Sequence, residues 1–202
     1  MPWTLPRTWV TNEIPTAALF NTHIRDNESY LKSAVSAQII ITAAGMWPTI
    51  TEGCAALTQI ETAANKQNLK VLDFDAATVE YAQCTIPAMP SDWDGGTLTA
   101  QFIWTADDLT TDSVVWAVKM RSFADNEAID AVWGTVNTVA DANGGASYTV
   151  RISAATSAIT AAGTPAGGEL LQIEIYRYAT DAADTLTVDA RLLGVIFTYT
   201  RN

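Results

Sequence analysis

Hydrophobic and polar positions change their period once along this chain, close to residue 37. Before that point, one stripe recurs at helical spacing and consists of Ala17, Phe20, Ile24, Asn27, Leu31 and Val35. Thr16 follows Pro15 directly and can accept a hydrogen bond from the first turn, so the pattern predicts one helix over residues 16–35. An isolated helix of this length is marginally stable in water, so its stripe must pack against other residues.

From Ala37 onwards the period is two, which is typical of β-strands with one buried face. The predicted strands are Gln38–Thr42, Ala55–Glu61, Leu69–Phe74, Thr78–Ile86, Thr97–Trp104, Val114–Arg121, Val132–Val139, Tyr148–Ser153, Leu170–Tyr178 and Leu186–Thr200. Turns rich in Gly, Pro and Asp lie between them, without the alternating helices that a parallel sheet needs. The pattern therefore predicts a mainly β protein, an antiparallel jelly-roll-like β-sandwich. Residues 124–132 fit either a second helix or a solvated loop.

The first 15 residues contain three prolines and predict an extended arm. Trp3 and Trp9 lie in this arm, which is too short to form a core of its own. Their side chains must therefore be buried on the rest of the domain or on a neighbouring chain. We divide the chain into an arm and helix for anchoring and oligomerisation (residues 1–36) and a sandwich domain (residues 37–202).

Composition narrows the classes of function. The chain is 49% hydrophobic and 16% charged, and soluble domains contain about 25% charged residues. No apolar run approaches the roughly 20 residues that a membrane-spanning helix needs, and we expect no membrane partner and no secretory signal. Eleven basic residues against 22 acidic residues give a net charge of −11. The basic residues are not clustered, so we expect no nucleic-acid partner.

Few residues suggest catalysis or metal binding. His23 is the only histidine, and no nucleophile motif accompanies it, so we expect a non-enzymatic protein without catalytic residues. Acidic residues cluster in loops, as at Asp107, Asp108 and Asp112. Such loops can hold a cation, but we favour the interpretation that they bond backbone N–H groups in turns. We predict neither a metal nor a cofactor.

The two cysteines, Cys54 and Cys84, lie in strand-like segments. We interpret them as two small buried hydrophobic residues. A disulfide between them stays open, because it needs a short separation in space that the sequence does not fix.

Seven tryptophans are many for this length. Trp104, Trp116 and Trp133 lie on predicted strands, where we expect them in the core. Trp93 lies in a loop of sequence PSDWDGG, and we expect it to be partly exposed. It is therefore our candidate ligand contact, for example to a sugar ring, although it could equally cap one end of the sandwich.

A resemblance to known proteins begins at residue 9. Residues 9–27 read WVTNEIPTAALFNTHIRDN. They resemble a segment near the start of tailed-bacteriophage virion proteins, which has a Trp, a Gly-Glu pair, a Thr-Ala-Ala helix start, Asn-Thr and Arg-Asp-Asn. Asn12 replaces the usual glycine, and Asn tolerates positive φ better than most residues. Residues 81–87, 93–97 and 192–195 are similar to the sandwich domains of such proteins.

The resemblance implies a virion structural protein of the head-decoration, head-fibre or tail-component type. In such proteins an N-terminal arm and helix commonly anchor the subunit, the β-sandwich projects outward, and the subunits commonly form trimers. We therefore predict a capsid decoration (cement) protein on the outer capsid surface. It would dock onto sister subunits, the major capsid protein or another virion protein through the residues Trp3, Trp9, Phe20, Ile24 and Leu31. The alternative is a tail or head-fibre component whose sandwich binds a receptor or glycan.

Overall fold

The computed structural model describes residues 3–34 and 36–202, so Met1, Pro2 and Val35 lie outside the described residues. One helical segment comprises α1 (Ala17–Phe20), a π-helical turn (Asn21–Arg25) and α2 (Asp26–Ala34). The strands are β1 (Ser36–Thr42), β2 (Trp47–Pro48), β3 (Thr58–Glu61), β4 (Asn68–Phe74), β5 (Glu80–Ile86), β6 (Trp93–Thr105), β7 (Ser113–Phe123), β8 (Asn137–Ala142), β9 (Arg151–Ile152), β10 (Leu170–Arg177) and β11 (Ala190–Arg201).

The strands form two antiparallel sheets that face each other. One sheet has the order β3-β4-β11-β6-β9, with β1 also paired to β11, and the other has the order β2-β5-β10-β7-β8. From β4 to β11 the chain changes sheet at every connection except the one between β7 and β8. This alternation through the eight strands β4 to β11 produces the jelly-roll-like sandwich that the pattern predicts. The prediction of a mainly β sandwich behind an arm and one helix is confirmed.

Strand β11 pairs with three others and organises the larger sheet. Its residues 190–192 pair with β4 and its residues 194–200 pair with β1, while β6 runs along its opposite edge. The change of partner coincides with a bulge between Leu192 and Gly194. A Cβ atom at Gly194 would lie 2.9 Å from the carbonyl oxygen of Ile41, so the close approach of β1 requires glycine here.

Aromatic side chains fill the space between the sheets. The rings of Phe102 and Trp116 stack with centroids 5.4 Å apart, and Phe74 meets Trp116 edge-on at 5.3 Å. Trp104 and Trp116 are fully buried, as the sequence predicts. Trp133 does not belong to this core, because it precedes β8 and lies on the outer side of the sheet beside Lys119.

Both cysteines are buried in the same core, and both thiols are free. Their interpretation as small buried hydrophobic residues is confirmed. Burial raises the pKa of the Cys54 thiol and of the Cys84 thiol to about 12. The buried thiols therefore stay protonated and unreactive in the folded protein.

One predicted strand differs from the structure near residue 130, because β8 begins at Asn137 rather than at Val132. Residues 124–132 form a loop, one of the two alternatives that the sequence leaves open. Gly134, which precedes β8, donates a hydrogen bond to the carbonyl of Met120, and a Cβ there would lie 2.6 Å from the carbonyl oxygen of Thr160. This crowded crossing fixes residues 132–136 as an irregular edge beside β7.

Candidate functional site

The outer face of the five-stranded sheet carries three rows of side chains that cross β5, β10 and β7. The strand register places Tyr81, Tyr176 and Ala117 in one row, Gln83, Glu174 and Lys119 in the next, and Thr85, Gln172 and Arg121 in the third. Alternation explains this arrangement, since the residues between them on β5 and β10 point into the core. The outer face therefore carries tyrosine rings together with polar and charged side chains.

Two walls turn this face into a groove. Residues 47–52 form the wall beside β5, with Trp47 46% exposed at its start. Residues 129–133 form the wall beside β7, with Trp133 lining the cavity. The cavity against the first wall measures about 560 Å³ and the cavity against the second about 400 Å³, and Gln83 lines both. We call this surface the groove; it comprises both cavities, the two walls and the floor between them, in which Gln83 lies.

A chain of hydrogen bonds fixes the floor of the groove. The Thr85 hydroxyl donates to Gln172 Oε1, and Gln172 Nε2 donates to Gln83 Oε1 at 3.1 Å. Gln83 Nε2 then donates to Glu174 Oε2 at 2.8 Å. Each amide is thereby oriented by its neighbours, and each NH₂ group keeps one further hydrogen for a ligand. The floor presents preorganised donors.

An ion pair ends this chain. Lys119 Nζ lies 2.6 Å from Glu174 Oε1, and Glu174 is only 7% exposed. The same ammonium lies over the rings of Trp133 at 5.4 Å and Tyr81 at 5.7 Å. These contacts hold the charge of Lys119 on two aromatic faces and one carboxylate. Burial and the adjacent Tyr81 raise the pKa of Tyr176 to about 12, so the floor's phenols stay neutral.

The groove combines the two kinds of contact that sugars make. Tryptophan and tyrosine rings offer broad apolar faces with a polar edge, and the ring C–H groups of a sugar can pack on such faces. Amide and carboxylate groups between the rings can bond sugar hydroxyls. Binding sites for small organic ligands commonly combine apolar walls with a few placed polar groups. The arrangement suits binding, and no side chain in it is placed as a nucleophile with its base.

The prediction for Trp93 is wrong. Its side chain is 2% exposed, because Trp93 begins β6, pairs with Arg201 and packs into the core. An ion pair between Arg201 and Asp92 at 2.6 Å lies beside it. Trp93 therefore offers no ring surface to a ligand and instead fills one end of the sandwich, which was the alternative interpretation.

Sequence reasoning missed the groove. The sequence pattern predicts Trp133 in the core and assigns no role to Trp47. The available signal was the alternation within predicted strands, where Gln172, Glu174 and Tyr176 are spaced by buried residues. That alternation predicts a shared outer face, but neither the pairing of β10 with β5 nor the two walls could be read from it.

The arm and helix bring two of the predicted anchor residues, Trp9 and Phe20, into contact, and they bury none of the five. The Trp9 and Phe20 rings lie 6.0 Å apart, and Trp3 lies 6.0 Å from Tyr30. Exposed fractions stay between 39% and 53% for the five residues Trp3, Trp9, Phe20, Ile24 and Leu31. The structure therefore forms a small apolar surface on this part of the chain, and its role as an interface stays a prediction.

Polar contacts hold the arm on the helix. Asn27 is 5% exposed; its Oδ1 accepts from the Thr4 amide at 3.0 Å, and its Nδ2 donates to the Thr4 carbonyl at 2.8 Å. Thr16 caps α1 through the amide of Leu19, as predicted. Asn12 has φ 65°, so it adopts the left-handed conformation that its replacement of glycine implies.

The acidic loops are explained by turn chemistry. Asp108 accepts from the Thr110 amide at 3.1 Å, Asp75 from the Ala77 amide at 2.7 Å and Asp94 from the Gly96 amide at 2.8 Å. Within residues 3–34 and 36–202, no three His, Cys, Asp or Glu side chains are grouped to hold a metal ion. None of the helices in these ranges has the length and apolarity to cross a bilayer.

No protein-family model and no curated protein matches this sequence. Solved structures with a similar fold include CBM35 from Cellvibrio japonicus Abf62, at 10% identity and a TM-score of 0.44 over 82% of this chain and 99% of that one. The family 11 carbohydrate-binding module from Clostridium thermocellum, in complex with a mixed-linked tetrasaccharide, aligns at 9% identity and a TM-score of 0.46 over 84% and 99%.

A viral structure is also among the similar folds. The enzymatically active domain of bacteriophage CBA120 tailspike protein 4 aligns at 10% identity and a TM-score of 0.33, over 83% of this chain and 20% of that one. With TM-scores below 0.5, these structures have an architecture similar to that of this chain and do not indicate what it binds.

Proposed function

We propose that this protein is a non-enzymatic glycan-binding β-sandwich carried on a bacteriophage particle. The groove is the observation that carries the proposal, because it places Trp47, Tyr81 and Trp133 around a floor of oriented amides. Its location on a bacteriophage particle is inferred from the resemblance of residues 9–27 to virion proteins. A glycan-binding role requires no nucleophile, metal or cofactor.

The groove accommodates an extended glycan better than a single sugar. Strand register places Trp47 beside Gln83 on β5, while Trp133 lies beyond β7. The backbone of Trp47 and that of Trp133 lie on opposite sides of β5, β10 and β7, about four strand spacings or 19 Å apart, and the Trp133 ring reaches back over the sheet as far as Lys119. Affinity is therefore expected to increase with oligosaccharide length until both tryptophans are covered.

Trp47→Ala tests the groove directly. Removing a half-exposed ring from the wall should lower glycan affinity at least tenfold on a glycan array and in calorimetry, since a large part of the apolar contact is lost. Trp9→Ala is the matched control, because Trp9 is 42% exposed but lies in the arm. Equal losses in both variants, or binding that survives in Trp47→Ala, would contradict the proposal.

A second candidate function is capsid decoration through the arm and helix, and two observations favour it. Five large apolar residues of this segment are half exposed. Residues 1–36 contain three basic and three acidic residues, so the net charge of −11 belongs entirely to residues 37–202. A neutral, apolar segment attached to an acidic domain is suited to burial in an interface.

Removal of residues 1–34 tests this second function, since it leaves β1 and the whole sandwich intact. The truncated chain should fold and keep its glycan binding but lose attachment to particles, and any oligomer that the full chain forms through this segment should be lost as well. Light scattering and particle-binding assays measure the loss. Full occupancy of particles by the truncated chain would exclude the docking role while leaving the glycan-binding proposal standing.

A further inference from the structure

The floor of the groove contains one carboxylate whose surroundings suggest a second role. Glu174 is only 7% exposed, yet it belongs to the outer face of the sheet and lines the cavity beside Trp47. One of its oxygens accepts from Gln83 and the other lies against Lys119. Its charge is therefore fixed at the centre of the surface that a ligand would cover.

We propose that Glu174 determines specificity in the groove, by holding Lys119 and thereby selecting neutral glycans over glycans that carry carboxylates. This inference rests on the proposed glycan binding and names the class of sugar. Without Glu174, the Lys119 ammonium would be the natural partner for a uronic acid. With Glu174 in place, that ammonium is paired at 2.6 Å and covered by two aromatic rings.

The second cation of the groove is also engaged. Arg121 donates to the Val132 carbonyl at 3.0 Å and lies over the Phe123 ring at 5.1 Å. Its guanidinium also lies 3.8 Å from the carboxylate of Glu127 in the same wall. Arg121 thus holds the wall of the groove in place and is not presented as a free anion site.

Charge along the groove opposes an acidic ligand. Around Lys119 and Arg121 lie four carboxylates, with Glu174 in the floor, Glu52 and Asp130 in the walls and Glu127 beside Arg121. The groove is therefore net negative, within a chain of net charge −11. A carboxylated sugar entering it would meet repulsion and would find no unpaired cation.

The variant Glu174→Gln removes the negative charge of Glu174 and keeps the size and shape of its side chain. The new amide oxygen can still accept from Lys119, and its NH₂ group can donate to Gln83 Oε1. The chain of hydrogen bonds can then reverse its direction, with Gln83 donating to Gln172 and Gln172 donating to the Thr85 hydroxyl. The floor keeps its shape, while Lys119 loses its counter-charge and becomes available to a carboxylate.

The experiment uses the full chain and an array of bacterial surface glycans that contain uronic acids, each printed beside its carboxyl-reduced, neutral form. The wild-type protein should bind the neutral form at least tenfold more tightly than the acidic form. Glu174→Gln should lower this ratio at least threefold while retaining neutral binding. Glu61→Gln, on β3 of the other sheet, removes the same charge from the chain and should leave the ratio unchanged.

The outcomes separate this inference from the function on which it rests. Equal binding of both forms by the wild-type protein, or an unchanged ratio in Glu174→Gln, overturns the selectivity role and leaves glycan binding in place. Binding of no glycan in either form overturns both. If Glu174→Gln fails to fold, Lys119→Gln provides the test. Loss of the cation should raise the ratio of neutral to acidic binding. A constant or lower ratio overturns the inference.

Discussion

The sandwich buries three of its five tryptophans between the sheets, whereas the N-terminal segment (residues 3–34) leaves both of its own half exposed. Trp93, Trp104 and Trp116 are at most 2% exposed, while Trp3 and Trp9 are 40% and 42% exposed. The sandwich also carries the entire net charge, and the N-terminal segment carries none. The same kind of side chain therefore stabilises the fold in the sandwich core and remains half exposed in the N-terminal segment.

The contacts inside the two regions differ in the same way. In the sandwich, even a charge is enclosed, since Arg177 and Asp184 form an ion pair whose side chains are 0% and 1% exposed. In the N-terminal segment, the arm is held on the helix by ring contacts and by the hydrogen bonds of Asn27 to Thr4. Stability should therefore be high and cooperative in the sandwich, and local in the N-terminal segment.

The largest effect is expected at Asp184. The variant Asp184→Ala leaves the guanidinium of Arg177 buried without its counter-ion, which should cost about 3–5 kcal/mol of unfolding free energy. Urea denaturation measures the loss. Asp92→Ala, whose partner Arg201 is 41% exposed, is the control and should cost less than about 1 kcal/mol. A similar loss of unfolding free energy in both variants would show that the contribution of these ion pairs does not depend on their burial.

An intermediate effect is expected at Asn27. In Asn27→Ala both hydrogen bonds to Thr4 are lost, which should destabilise the docked arm by about 1–3 kcal/mol. Hydrogen exchange at the Thr4 amide should become faster, while the urea midpoint of the sandwich stays constant. Asn21→Ala, at an exposed position of the same helical segment, should not change the exchange at Thr4. If the urea midpoint falls together with the protection of Thr4, the two regions unfold as one unit.

The smallest effect is expected at Asn12. Glycine also accepts a φ of 65°, so Asn12→Gly should change the stability of this turn by less than about 1 kcal/mol. The β-branched variant Asn12→Val should cost more, about 1–3 kcal/mol, because it is strained in the left-handed region. Exchange of the Glu13 amide, which donates to the Val10 carbonyl, reports on the turn. Equal exchange rates in both variants would contradict the interpretation that position 12 requires a residue that tolerates the left-handed conformation.

The sequence predicted the fold well because local pattern and turn chemistry agree along most of the sandwich. The strand at Leu170–Tyr178 was found almost residue for residue, since Leu171, Ile173 and Ile175 alternate with polar positions. The strand predicted from Val132 failed, because the segment before Asn137 is shaped by its crossing with Met120 and Thr160, which are distant in sequence.

The candidate site was less predictable than the fold. Trp93 follows a proline-rich turn that reads as exposed, but its pairing with Arg201 at the far end of the chain buries it. Trp47 and Trp133 are separated by 86 positions and reach the same face only through the order of β2, β5, β10 and β7. Sequence patterns report which residues share a strand face, whereas the neighbours across strands depend on topology.

The position of β11 between β1, β4 and β6 has a consequence for biosynthesis. Ser36 pairs with Thr200, so the first strand of the sandwich finds its partner only after the last strand has left the ribosome. Until residues 190–201 emerge, the strands β1, β4 and β6 lack their common neighbour, and closing such a long loop is slow. The larger sheet therefore cannot close before β11 is available, and a chain that stops before β11 leaves three strand edges open to aggregation.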